Sequence, residues 1–176
     1  SCGSGETCTN RYQTWCGGGV FVLNADPTLA DLIIVENTLP EASSTTSGSE
    51  TITVESFGGG LCFVDSTSSL FGVDVRENYA AEGGGVYLDE SSVITHSSSK
   101  VLANSATDGA GFAVDGGTLT LTNVLSTYNE GESGGGVLVA EGPPGLASLP
   151  LLSGFGADTQ RRVPFDGSPI LTPETP

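Results

Sequence analysis

Glycine triplets recur along this chain with an asparagine at a nearly constant distance behind them. The openings are, in chain order, Gly17, Gly58, Gly83, Gly109 (as Gly-Ala-Gly) and Gly134. They are separated by 41, 25, 26 and 25 residues. The asparagines follow the first four openings by 20, 20, 21 and 20 residues and are Asn37, Asn78, Asn104 and Asn129. Two independent features in one register predict an internal repeat of about 25 residues.

Each repeat has the pattern of short β-strands. Apolar side chains alternate after the glycines, as at Val20 and Val22 or Val86 and Leu88, and alternation marks one face of a strand. The 26 glycines among 176 residues would weaken helices. A unit this short buries its apolar face only against neighbouring units. The sequence therefore predicts an all-β fold, a parallel β-helix (β-solenoid) of about five coils.

The asparagines have a structural interpretation and a functional one. Side-chain amides at the same turn of successive coils can stack and exchange hydrogen bonds along the axis. We predict such a ladder for the four asparagines named above. The alternative hypothesis is that they bind a ligand.

The repeats resemble those of the bacterial polymorphic outer membrane proteins, which carry GGA[ILV] and FxxN motifs. The resemblance covers roughly residues 17–141. Gly replaces Ala in third place, and Ile, Val or Ser stands where Phe is usual. The matching segments are the glycine openings with Ile34-Val35-Glu36-Asn37, Val75-Arg76-Glu77-Asn78 and Val101-Leu102-Ala103-Asn104. The resemblance implies a right-handed parallel β-helix on a secreted or surface-exposed protein, often an adhesive one.

Charge and hydropathy limit the class of partner. The formal net charge is −16 with five Lys and Arg, which argues against nucleic acid and anionic membrane surfaces. No apolar run approaches the length of a membrane span. The sequence begins at Ser1 without a signal peptide, so we expect a mature or excised form of an extracellular protein.

The four cysteines predict two disulfides and hence an oxidising compartment. They are Cys2, Cys8, Cys16 and Cys62. A zinc site is the competing interpretation, but no C-x2-C pair occurs and the chain has one histidine. Three disulfide connectivities are possible. Because the alternation places Cys62 on the outward face, we expect an N-terminal cysteine to reach it.

Composition divides the chain into three parts. These are an N-terminal cap at 1–16, the repeats at 17–141 and a Pro-rich apolar tail at 142–176. The first repeat is about 16 residues too long, and the excess at about 38–53 is predicted to be a polar loop, either decoration or contact surface. Tyr12 and Trp15 are expected to cover the first coil.

An outward-facing apolar column suggests a covered surface. It contains Phe21, Cys62, Tyr87, Ala113 and Leu138. A stripe of this kind is typical of a contact surface. The apolar tail of the same chain or of a neighbouring subunit could cover it. The interface candidates are Phe21, Tyr87 and Leu138, with Leu151, Leu152 and Phe155 in the tail.

Aspartates recur six or seven residues after the glycine openings, at Asp65, Asp89 and Asp115. Strands stack about 4.8 Å apart, and carboxylates that close repel unless a cation separates them. One hypothesis is therefore a Ca²⁺ site. The alternative is a solvated acidic edge that prevents sideways aggregation. No other cofactor is expected.

Catalytic motifs are not recognisable. His96 has no assignable Ser or Cys partner, and the glycine triplets precede neither a lysine nor a helix, as a phosphate-binding loop requires. We predict a non-enzymatic extracellular structural or adhesive protein that self-associates through its tail and coil ends. The alternative is a carbohydrate-binding or polysaccharide lyase-like β-helix, in which acids would cluster with Arg76 or Lys100. Glycans or a cell surface are further candidate partners.

Overall fold

The computed structural model describes residues 9–89 and 91–140. Within these ranges every regular element is a β-strand, so the all-β prediction is confirmed. No helix that could cross a membrane is found among these residues. The strands are β1 (Thr9–Cys16), β2 (Val20–Leu23), β3 (Thr28–Ala30), β4 (Ile33–Val35), β5 (Ser43–Ser47), β6 (Glu50–Phe57), β7 (Leu61–Val64), β8 (Thr67–Phe71), β9 (Asp74–Arg76), β10 (Val86–Leu88), β11 (Val93–Ser97), β12 (Lys100–Leu102), β13 (Ser105–Asp108), β14 (Phe112–Asp115), β15 (Thr118–Thr122), β16 (Leu125–Thr127), β17 (Glu130–Ser133) and β18 (Val137–Ala140).

Three parallel sheets contain most of these strands. Sheet I has the order β2-β7-β10-β14-β18, sheet II the order β3-β8-β11-β15 and sheet III the order β4-β9-β12-β16. The chain passes through sheets I, II and III in this sequence four times before it enters β18. Each strand therefore pairs with the equivalent strand of the neighbouring repeats.

The register of sheet I aligns the residues that follow the glycine openings. Val86 lies beside Leu61 on one side and Phe112 on the other. Alternate side chains from the three sheets enter one continuous apolar core, in which Phe63 and Leu88 are fully buried. Full burial of a side chain of this size contributes about 1.5–3 kcal/mol. The core is thus a stack of equivalent apolar layers contributed by successive repeats.

Left-handed backbone conformations turn the chain after sheets II and III. The residue after each sheet III strand has a positive φ, between 51° and 59°. These residues are Glu36, Glu77, Ala103 and Tyr128. After sheet II, Gly72 with φ 64° occupies the position that Asp31, Ser98 and Asn123 fill in other repeats. A single residue in this conformation changes the chain direction sharply, which separates the sheets.

The insertion in the first repeat is a hairpin and not the predicted loop. β5 and β6 pair antiparallel around Gly48, and β6 also pairs in parallel with β1 along its whole length. The sequence of β6 explains this, because Ile52 and Val54 alternate with threonines, which favour strands. The excess residues thus extend the fold with a three-stranded sheet, in the order β1-β6-β5.

The N-terminal strand does not lay its aromatic residues over the first repeat. Tyr12 is 68% exposed and Trp15 is 48% exposed. β1 joins a sheet as a regular strand, and residues at an odd separation in a strand point to opposite faces. The two rings therefore cannot cover one surface together, and the expectation was wrong.

Candidate functional site

The four asparagines form a continuous line of hydrogen bonds along the stacking direction. Asn37 Nδ2 donates to Asn78 Oδ1 at 2.8 Å, Asn78 Nδ2 donates to Asn104 Oδ1 at 3.0 Å, and Asn104 Nδ2 donates to Asn129 Oδ1 at 3.0 Å. Each of the three donor residues also gives its backbone N–H to the same oxygen, at 3.0–3.1 Å. The line therefore has a direction, with donors on the N-terminal side of each contact.

The amides in the middle of the line use all their groups internally. The second Nδ2 hydrogen of Asn78 reaches the Ile34 carbonyl at 3.0 Å, and that of Asn104 reaches the Val75 carbonyl at 3.0 Å. Both side chains are almost fully buried. Because buried amides with satisfied donors and acceptors offer nothing to a ligand, this arrangement favours a structural role.

A disulfide joins the N-terminal strand to the second repeat. Cys16 and Cys62 are bonded, with a Cα–Cα distance of 5.6 Å. The expectation that an N-terminal cysteine reaches Cys62 is confirmed. Cys2 and Cys8 lie outside the described residues.

The predicted apolar column is real in register but mostly buried. Sheet I aligns Phe21, Cys62, Tyr87, Ala113 and Leu138. Phe21 is 48% exposed, whereas the other four are at most 7% exposed. Tyr87 and Leu138 are therefore covered in the isolated chain, and their role in an interface between copies stays a prediction. The tail candidates Leu151, Leu152 and Phe155 lie outside the described part of the chain.

The last residues of β1 and β6 help to bury this column. Cys62, Tyr87 and Ala113 form a second apolar cluster against which Cys16 and Phe57 pack. The ring centroids of Phe57 and Tyr87 are 4.8 Å apart. Described residues of the same chain thus supply cover that the sequence assigned to the tail.

The three aspartates do not come together as a metal site. Asp115 pairs with Ala140 in sheet I, and the same register places Asp89 beside Asp115 but Asp65 one position further along. Both Asp89 carboxylate oxygens accept the Asp65 backbone N–H at 3.3 Å, and one also accepts the Ser92 hydroxyl at 2.7 Å. Among residues 9–89 and 91–140, no group of three or more His, Cys, Asp or Glu side chains is placed to hold a metal. The one-residue offset removes the proposed carboxylate stack.

An acidic group that the sequence did not single out surrounds Glu82. Burial, together with the negative charges of Asp115, Asp108 and Glu55, raises the pKa of Glu82 to about 7. The Tyr87 hydroxyl donates to Asp115 at 3.4 Å, and burial and this carboxylate raise the pKa of Tyr87 far above its usual value. The sequence does not reveal this acidic group, because its residues come from separate repeats and meet only in the folded chain.

The two basic candidates, Arg76 and Lys100, lie beside acidic residues at sheet III. Arg76 is paired with Glu77 at 2.8 Å and lies 3.8 Å from Asp74. Lys100 is exposed on β12, beside Asp74 in the register of sheet III. His96 is fully buried, its ring lies 5.7 Å from that of Phe112, and neither nitrogen has a hydrogen-bond partner among the described residues.

Exposed apolar side chains lie at the two ends of the sheets, and of these the sequence predicted only Phe21; others lie on β1 and on the inner strands of sheet II. β2, β3 and β4 end the three sheets on one side, and β18, β15 and β16 end them on the other. Among the described residues, these strands have a sheet partner on one side only. Exposed apolar side chains of the end repeats are Phe21, Leu23 and Ile33 at the first end and Leu125 and Tyr128 at the second.

In one column of sheet III, the residues on the two end strands differ in polarity from those on the two inner strands. Ile33, Asp74, Lys100 and Leu125 are aligned, in that order. The two inner positions are charged, whereas the two outer ones are apolar and exposed, Ile33 by 66% and Leu125 by 48%. The sequence signal that could have found this is an apolar residue where other repeats have a charge.

No family model matches this chain, and no curated protein or solved structure matches it either.

Proposed function

We propose that the repeats form a right-handed parallel β-helix in which each repeat is one coil. The support is the cyclic order in which the chain passes through sheets I, II and III, with every strand parallel to its equivalent in the next repeat. Parallel strands in one sheet are joined by right-handed connections in nearly all proteins. The hydrogen bonds between asparagines run along the axis that this arrangement defines.

We propose that the chain is a non-catalytic structural subunit that associates with copies of itself. The observation that carries the proposal is that, among residues 9–89 and 91–140, the end strands of the three sheets each have one edge without a partner, with exposed apolar side chains beside it. Unpaired strand edges are templates for pairing with another chain. Because the two ends differ, contact between copies is head-to-tail and produces an open filament.

An extracellular location fits this role. The Cys16–Cys62 disulfide persists in an oxidising environment, and the resemblance to outer membrane protein repeats points to a secreted or surface-exposed protein. A net charge of −16 disfavours binding to nucleic acid or anionic lipid. Charge repulsion between copies is then reduced by salt, which screens exposed charges.

Sedimentation velocity of the purified full chain, combined with negative-stain electron microscopy, tests self-association. We expect the weight-average sedimentation coefficient to rise with protein concentration, and to rise further as NaCl is increased. Particles should appear as unbranched filaments. A single monomeric species at every concentration and salt level would show the proposal to be wrong.

A further inference from the structure

We infer that the two ends of the stack are complementary halves of one interface, in which β16 of one copy pairs with β4 of a second copy. The inference rests on the proposed self-association and identifies the surfaces responsible for it. The occupant of each end is thus the opposite end of another molecule of this chain.

The side chains on sheet III support this pairing. A second copy placed one strand beyond β16 in the observed register brings its Ile33 beside Leu125, because both residues belong to the column that contains Asp74 and Lys100. Each of these apolar side chains is exposed at its own end. Contact covers part of each apolar side chain with the other, whereas the oppositely charged inner residues already neighbour each other within one chain.

The backbone groups at the two ends are also complementary. The Asp74 N–H donates to the Leu32 carbonyl and the Glu36 N–H donates to the Arg76 carbonyl, so the N–H and C=O groups of Ile33 point away from β9. At the other end, the Leu125 N–H donates back to Ser99, so the groups of Ser126 point outward. If β4 of a second copy continues the register of sheet III beyond β16, its Ile33 N–H reaches the Val124 carbonyl of the first copy. The Ser126 N–H of the first copy then donates to the Ile33 carbonyl of the second.

The direction of the asparagine line is also compatible with head-to-tail contact between two copies. Each asparagine oxygen except that of Asn37 accepts from the preceding asparagine, and Asn37 Oδ1 accepts no hydrogen bond from a described residue. At the far end, the Asn129 backbone N–H has no acceptor within the described ranges, although the equivalent groups of Asn78 and Asn104 donate to the next asparagine. The open donor at one end therefore fits the open acceptor at the other.

Two opposite charges at these positions test the interface. The variants are Ile33→Lys and Leu125→Glu, each made in the full chain. Both sites are exposed, and each new charge lies beside an opposite charge of its own chain, Asp74 or Lys100, so the monomer should fold normally. Val93→Lys is the matched control, because Val93 is a 43% exposed apolar residue on β11, an inner strand of sheet II.

We expect each end variant alone to raise the concentration needed for assembly by at least about tenfold, because a charge then faces an apolar side chain across the contact. The control should assemble like the wild type. Mixing the two end variants should restore assembly, since the introduced lysine of one chain then meets the introduced glutamate of another and the remaining contact is the native one. Only a head-to-tail interface predicts this rescue.

The possible failures are distinguishable. If the wild type remains monomeric, the proposed function itself is wrong, and the interface with it. If the wild type assembles but both end variants assemble equally well, self-association stands and uses another surface. If Leu125→Glu lowers the melting temperature of the monomer and mixing rescues nothing, a segment of the same chain covers the β16 edge, and the inference is overturned.

Discussion

Asn78 and Asn104 are amides buried at the centre of a parallel fold, and each makes hydrogen bonds to two neighbouring repeats. Asn104 accepts two hydrogen bonds from Asn78 and donates to Asn129 and to the Val75 carbonyl. Asn37, at the end of the line, is only partly buried and accepts none from a described residue. Burial and connectivity therefore make the inner amide matter more for stability than the outer one.

We predict that Asn104→Ala lowers the free energy of unfolding by about 3–5 kcal/mol, because it leaves several buried groups without partners at about 1–3 kcal/mol each. Asn37→Ala should cost about 1 kcal/mol, since water can reach the groups that it releases. Urea denaturation of the two variants and the wild type measures both values. Equal losses would show that the position in the line does not matter.

At the scale of elements, the N-terminal strand depends on a covalent link. β1 is mostly exposed and pairs with β6, and its last residue, Cys16, is bonded to Cys62 in β7 of the neighbouring sheet. The link spans 46 residues and closes a loop that contains the whole first repeat and the β5–β6 hairpin. Phe57, the last residue of β6, packs against the same cluster around Tyr87 as Cys16 does.

Replacing both cysteines, Cys16→Ala with Cys62→Ala, should lower the free energy of unfolding by about 2–4 kcal/mol, as expected for a loop of this length. Hydrogen exchange should show the greatest loss of protection in β1 and β6, with sheets II and III little changed. Thr14→Ala, on the exposed face of β1, is a control that removes no cross-link. A double variant as stable as the wild type would mean that noncovalent packing alone holds β1.

The stability of the whole molecule should depend on two titratable groups with opposite pH profiles, the buried His96 and the half-buried Glu82. Burial lowers the pKa of His96 from 6.5 to about 4, so the unfolded chain binds the proton more readily between these values. Stability from this group is complete above pH 6.5 and is lost as the pH falls towards 4. Glu82 behaves in the opposite way, because its raised pKa favours the folded chain at low pH and this contribution is lost as the pH rises through 7.

Between pH 7 and pH 4 the wild type should lose about 3 kcal/mol of its free energy of unfolding because His96 is buried in its neutral form. We predict that His96→Leu does not suffer this loss, so the variant becomes increasingly more stable than the wild type as the pH falls. Glu82→Gln should show its advantage at pH 8 and lose it towards pH 4.5. Urea denaturation at several pH values measures both profiles. An advantage of His96→Leu that does not change with pH would show that His96 is not buried in its neutral form.

Local patterns predicted the strands, since alternating apolar residues such as Val86 and Leu88 enter the core, and the recurrent glycines set the register in which Leu61, Val86 and Phe112 align. The spacing of the asparagines likewise places one in each repeat at the same corner. These features are readable from sequence because every repeat contains its own copy of the pattern, and parallel pairing keeps equivalent residues together.

Other features depend on segments that meet only in three dimensions. The β5–β6 hairpin pairs with a strand about 40 residues earlier, Phe57 packs on Tyr87, and a one-residue offset separates Asp65 from Asp89 and Asp115. The positions of Ile33 and Leu125 at opposite ends of one column likewise follow from the order of the strands in sheet III. The repeat pattern alone determines which residues are equivalent, whereas burial and pairing between distant segments decide which of them are covered, charged or open to another molecule.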